Sequence, residues 1–140
     1  MTGSTGAQAC PCGNGLDLAR CCGPVVDGGR LAETAEELMR SRYTAFATGA
    51  ADHLFRTWHP RTRPGTVDLD PSTRWTGLTV LRTVDGGPED DHGVVEFVAS
   101  WDGRGVRSAG PGGAGRGELH EVSRFSRRGG RWLYVDGDHD

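Results

Sequence analysis

At 140 residues, 35% of them hydrophobic and 23 of them glycine, the chain has the length of one domain with room for a small appendage. Its basic residues are 16 arginines and no lysine, which excludes Schiff-base chemistry and any lysine general base. A formal net charge of −3 and a pI near 5.9 argue against a general polyanion binder, so nucleic acid is not expected as the main partner.

The leading MTGSTGAQA carries neither the basic nor the apolar region of a secretory signal. No stretch approaches the ~20 apolar residues of a membrane span, so a cytoplasmic location without membrane contact is expected. The next stretch, CPCGNGLDLARCC, holds all four cysteines of the chain. Cys10 and Cys12 sit on one tight turn, and Cys21 and Cys22 return after an eight-residue gap. In a reducing compartment clustered thiols serve as metal ligands more often than as disulfides. Four thiolates complete a tetrahedral, closed site of the structural kind, with Zn2+ as the leading occupant. An iron–sulfur cluster and disulfides are the rival readings. Bridges within either close pair would be strained, and tetrathiolate clusters usually draw on wider spacings.

Downstream, GPVVDGGR (23–30) reads as a glycine-rich connector. Thr34 with Glu37 forms a capping-box pattern that predicts a helix ending near Gly49, with Ala35, Leu38, Met39, Tyr43 and Phe46 on one face and Arg42 in its middle. A second helical stretch, AADHLFRTW, ends by His59-Pro60, and 60–73 reads as loop. The period then changes to two in WTGLTVL, GVVEFVASW, ELHEVSRF and RWLYVD, with SRRGG as a hairpin turn between the last two. The glycine-rich 104–117 reads as a long mobile hairpin loop, and the terminal DGDHD as a solvated tail. A cysteine knuckle, two helices and four consecutive strands give an α+β class with an antiparallel meander, divided at 1–30 and 31–140.

Two resemblances follow from these residues. CPCGNGLDLARCCG resembles the SEC-C zinc motif found at the C-terminus of bacterial SecA translocases, with Asn14 where serine is usual and Cys22 where the SecA version commonly has histidine. That likeness implies zinc and a contact module for a protein or ribosomal partner. TAEELMRSRYTAFATG, TWHP, WTGL, VVEFVA, ELHEVSRF and RWLYVDG, in that order, resemble the YchJ-like family of small bacterial proteins. This resemblance implies a middle domain similar to nuclear transport factor 2, a cystatin-like cone in which a curved antiparallel sheet wraps over helices around a cavity.

Polar residues in apolar places supply the candidate cavity or ligand residues. Arg42 in a helix stripe needs a compensating carboxylate, with Glu121 the better partner by strand alternation and Glu96 the second. His59 and His120 are the histidines considered for proton transfer, and His120 shares with Arg124 the strand face opposite Glu121. Tyr43, Trp58 and Trp132 read as core aromatics, at most one of them at a cavity mouth. Arg124, Arg127, Arg128 and Arg131 make the most basic patch. No GxSxG, Walker loop, HExxH or dinucleotide fingerprint is present, and the closed four-cysteine site with its likeness to the SecA tail makes a zinc-binding adaptor or small-ligand-binding protein the leading expectation. The alternative is an isomerase- or hydrolase-type enzyme with acid–base residues inside the cone, for which the sequence assigns no catalytic set.

Overall fold

The computed structural model describes residues 8–104 and 114–139. A 3-10 turn at Leu18–Arg20 is followed by α1 (Cys22–Asp27), α2 (Ala35–Thr48) and α3 (Ala51–Arg56), then by β1 (Thr73–Asp85), β2 (His92–Arg104), β3 (Ala114–Arg128) and β4 (Arg131–His139). The strands pair antiparallel in chain order, β1-β2-β3-β4. The expected α+β meander is therefore the observed one.

The long helix forms where its caps place it. Thr34 accepts the amide of Glu37 at 3.0 Å, the Glu37 carboxylate takes the amide of Glu33 at 2.7 Å, and Gly49 closes the far end at φ 82°. The connector expected at 23–30 is instead partly helix. Pro24 lies in the first turn of α1, where an amide has no intrahelical partner, and Val25 is buried in the core. Helix α3 stops at Arg56, earlier than the proline requires. Thr57 and His59 there exchange backbone hydrogen bonds with Tyr134 of β4, each at 2.8 Å.

Register shifts in β1 at Trp75/Gly77 and Val80/Arg82, and between β3 and β4 at Arg124/Phe125, bend the meander. The inner face, with Val95, Phe97 and Ala99 on β2 and Phe125 on β3, packs on Leu38, Met39 and Tyr43 of α2. Each of the larger aliphatic or phenyl side chains among them, fully buried, stabilises the fold by ~1.5–3 kcal/mol. The hairpin joining β3 and β4 turns on Gly129 (φ 57°) and Gly130 (φ 81°), as SRRGG predicts.

Two expectations are corrected. The end of the glycine-rich stretch is strand, because the Trp101 indole lies across Gly117 where any β-carbon would collide with it. Residues 105–113 of that expected loop lie outside the described residues. The terminal DGDHD, up to His139, is strand rather than a solvated tail. Asp136 and Asp138 pair with Arg124, and Gly137 stands opposite Ser123 in the ladder.

A buried polar pair ties α2 to α3. Ser41 Oγ donates to the Leu38 carbonyl at 2.7 Å, so His53 Nε2–H donates to Ser41 at 2.9 Å and Nδ1 has no partner among the described residues. Burial, then the charges of Arg42 and Arg56, hold the His53 pKa down at about 4, against an ordinary 6.5. The unfolded chain thus binds the extra proton between these values, and stability falls as pH drops from 6.5 towards 4. Between pH 7 and 5 the loss through His53 should be ~2 kcal/mol. Urea unfolding of wild type and His53→Gln at both pH values, with metal content checked, should show this pH-dependent increment in wild type alone.

Candidate metal centre and cavity

The cysteine segment is a short antiparallel turn followed by a helix start. Cys10 N donates to Leu16 O at 2.9 Å and Leu18 N to Gln8 O at 2.7 Å, which places Cys12 on the turn between them. Cys21 then follows the 3-10 turn and Cys22 opens α1. All four sulfurs lie within 4.8 Å of one another, with Cys12–Cys21 at 3.6 Å and Cys21–Cys22 at 3.8 Å. A tetrahedron with ~2.3 Å metal–sulfur bonds has edges of about 3.8 Å, so the donor set fits one ion bound by four thiolates. None of the four cysteines is in a disulfide.

The centre is part of the core. The cysteines are 0–8% exposed and share the main cluster with Val25, Leu38 and Met39. Thr44 of α2 places its hydroxyl 3.6 Å from Cys10 Sγ, and Arg40 donates to the Cys12 carbonyl at 2.8 Å. These contacts orient the sulfurs from outside, as supporting partners of metal ligands do. Bonding from the Cys22 thiol draws the Cys12 pKa down to about 5, whereas burial pushes that of Cys21 up to about 11. The bond to Cys12, then burial, pushes Cys22 higher still. Four buried thiols cannot all ionise against one another without a cation between them. With every ligand position filled by sulfur, a metal held here would be of the structural kind, since a catalytic site keeps a position open.

On the other side of α2, helix and sheet enclose a cavity of about 260 Å³, at the small end of ligand pockets. Its walls are aromatic: Tyr43 and Phe46 of α2, Trp58, Trp75 of β1, Phe97, Phe125 and Tyr134. Tyr43 and Trp58 thus both line it, one more than expected, while Trp132 is buried elsewhere with its indole N–H on the Glu33 carbonyl at 3.1 Å.

Two charges enter this apolar space. Glu121 receives Ser123 Oγ–H at 2.6 Å and Tyr134 O–H at 3.0 Å on one oxygen, and lies 2.7 Å from His139 Nε2 on the other. Burial first, then the Glu121 charge, push the Tyr134 pKa well up, so its phenol stays a donor. Room for the carboxylate comes from Gly137, where a β-carbon would overlap it. Arg42, 6% exposed, donates from Nη1 to the Leu54 carbonyl at 2.9 Å and to Thr57 Oγ1 at 2.8 Å. Its guanidinium lies over the rings of Trp58 (5.1 Å) and Tyr134 (4.6 Å). The direct pairing with Glu121 or Glu96 expected from sequence is not formed, because the Tyr134 ring takes the place beside Arg42 and hands its hydroxyl to Glu121. No described carboxylate lies within 4 Å of Arg42, and burial lowers its pKa to about 10.

The remaining candidates stand elsewhere. Glu96 bonds His120 Nε2 at 2.6 Å and Arg82 at 3.0 Å on the outer face of the sheet, where the His120 contact, then Arg82, hold its pKa low. Arg124 is on that face too, tied to Asp136 and Asp138. His59 lies at the hairpin end, beside Arg128. The structure therefore brings together Arg42, Tyr43 and Glu121, and separates them from His59, Glu96, His120 and Arg124. Sequence reading missed Tyr134, His139 and Gly137 as parts of the site. Regular alternation from Tyr134 would put Asp136 and Asp138 on its face; the irregularity beside Val135, which no local sequence signal marks, sets Gly137 and His139 opposite Ser123 and Glu121 instead.

A bent meander closed by helices over an aromatic cavity, with a buried four-cysteine turn on its long helix, defines a SEC-C-type cysteine module joined to an NTF2-like cone. Comparison with known proteins agrees. The family model described as "YchJ, middle NTF2-like domain" matches residues 34–137. A UPF0225 protein of Streptomyces coelicolor is 50% identical over 129 residues, covering 92% of this chain and 94% of that protein. One from Corynebacterium glutamicum is 41% identical over 95% and 98%. The solution structure of a SEC-C motif containing protein from Rhodopseudomonas palustris superimposes with a TM-score of 0.74 at 33% identity, covering 92% of this chain and 96% of that one. A crystal structure of a SEC-C motif containing protein from Psychrobacter arcticus gives 0.69 at 27% identity, covering 92% and 81%. The chain belongs to the YchJ (UPF0225) family. No helix among the described residues is long and apolar enough to cross a membrane.

Proposed function

We propose that the chain is a zinc-stabilised binding protein whose cone holds one small, flat, largely apolar molecule carrying an acceptor oxygen. One observation carries this reading: Arg42 is buried at the cavity wall with Nε and Nη2 bonded to no described residue. Leaving charged donors unpaired in an apolar space is costly, and a carbonyl or carboxylate of a ligand would satisfy them. The aromatic walls suit a flat body. Zn2+ is the ion proposed for the four thiolates, and the cytoplasm, which keeps them reduced, is the proposed location. The division at residue 30 then separates a metal-held knuckle from the binding cone.

A second role, contact with a protein or ribosomal partner through the knuckle, is favoured by Leu16, 48% exposed beside the cysteine turn. If Leu16→Ser left every partner in a pull-down unchanged, that role would fail. The enzyme alternative has less support, because the oxygens of Glu121 already engage Ser123, Tyr134 and His139. Taking a proton from a substrate would require one of those contacts to break.

Native mass spectrometry of gently purified protein, beside its denatured spectrum, tests the proposal. One zinc per chain and a small oxygen-bearing mass lost on denaturation are expected. Zinc with no retained mass, and no binding from a panel of flat aromatic acids and ketones, would remove the ligand half.

A further inference from the structure

We propose that the hairpin end of the sheet carries a second binding site, for a single phosphate group on a small molecule. The site is an open pocket of about 430 Å³ lined by His59, Arg61, His92, Ser126 and Arg128. It is separate from the cone and independent of the reading given for it.

His59 opens the turn on one side of this pocket. Its Nδ1 accepts the backbone N–H of Arg61 at 3.0 Å, in the turn that follows Pro60, so Nδ1 carries the lone pair and the ring proton sits on Nε2. Nε2 in turn lies 3.4 Å from Nη1 of Arg128. A guanidinium only donates, so two N–H groups face one another with no acceptor between them. Ser126 lines the same pocket, and its Oγ is buried with no hydrogen-bond partner among the described residues. The guanidinia of Arg61 and Arg128 form no ion pair with any described carboxylate within 4 Å. Donors from two segments of the chain, 59–61 and 126–128, therefore converge on a space that lacks an acceptor among the described residues.

Phosphate fits this set because its oxygens point in tetrahedral directions and accept from several donors at once, with arginine its preferred partner. The neighbouring loop limits the size of the ligand. Asp91 lies 3.9 Å from Arg127, whose guanidinium also bonds Pro88 O, and Glu89 and Asp90 adjoin it in sequence. Carboxylates beside the pocket would repel the flanking phosphates of a nucleic acid, which leaves one phosphate group as the ligand.

The test is an NMR titration of the full-length, metal-loaded protein with inorganic phosphate and with phenyl phosphate, against chloride at matched ionic strength. Saturable shifts at residues 59–62 and 126–128 are expected with at least one of the two phosphates, and their relative affinity distinguishes the free ion from an ester. Arg128→Gln should weaken binding about tenfold or more, the loss expected for one charge-assisted hydrogen bond. His59→Ser, which keeps an acceptor for the Arg61 amide but deletes Nε2–H, should weaken it as well, with the fold confirmed by the unchanged remainder of the spectrum. Shifts no larger than those with chloride, or equal affinity in both variants, would overturn the proposal. So would binding of a short single-stranded RNA without binding of either phosphate.

Discussion

Cys12→Ser, or removal of the ion by a chelator, is expected to lower the melting temperature by about 12 °C or more, a loss of at least ~4 kcal/mol at a few degrees per kcal/mol for a domain of this size. The size follows from where the site lies. Cys12 is fully buried, its carbonyl holds Arg40 of α2, and the four cysteines belong to the same core cluster as Leu38 and Met39. Without a cation, the thiols remain inside as mutually coupled polar groups, and the turn that carries them has only a few backbone hydrogen bonds of its own. The metal-binding free energy is then largely folding free energy for residues 8–27 and for the face of α2 that they cover. Calorimetry with and without chelator, with metal content measured in parallel, checks the prediction. A shift under about 3 °C on complete removal would mean that packing of the cysteine segment on α2 suffices. The centre would then have to be regarded as a detachable module.

What could be read beforehand were the features encoded by local chemistry. The cysteine spacing, the Thr34–Glu37 cap, Gly49, the period-two runs and the Gly129–Gly130 turn each act over a few residues, and each is found where the pattern placed it. What could not be read depends on contacts between distant segments. Gly117 is tolerable in a central strand only because Trp101 lies over it. Gly137 looked like part of a polar tail, yet it is the residue whose missing side chain admits Glu121. Strand alternation put Glu121 on the face towards α2, but it could not show that Tyr134 stands between that carboxylate and Arg42. His53, with no conspicuous motif around it, became a buried titratable group only through Ser41, twelve residues earlier in the chain. Periodicity thus located the face on which the cavity forms, and long-range packing decided which charges on that face meet.

Arg42→Met is expected to leave stability within ~1–2 kcal/mol of wild type while weakening binding of the cavity ligand more than tenfold. Two opposing effects set the stability result. The substitution leaves the Leu54 carbonyl only a long 3.5 Å contact from Thr57 Oγ1 and loses the stacking on Trp58 and Tyr134, although Thr57 Oγ1 still donates to His53 O at 2.7 Å. Against this, it releases a guanidinium whose burial lowers its pKa from 12.5 to about 10, a desolvation cost on the order of 3 kcal/mol. A purely structural pin would behave differently, its removal costing ~3–5 kcal/mol with no separate effect on a ligand. Arg42→Lys sharpens the contrast, since it keeps the charge and loses the planar fork that offers Nε and Nη2 together. Urea unfolding and ligand occupancy by native mass spectrometry report the two quantities separately. A third readout is internal to the protein. The Arg42 charge is one of the causes that hold His53 down, so Arg42→Met should raise the His53 pKa from about 4 towards 6.5. The gap between the folded and unfolded values then narrows, and less stability is lost as pH falls through that window. An unchanged acid limb in Arg42→Met would show that burial and Arg56 depress His53 without it, and that the Arg42 guanidinium is electrostatically silent towards α3.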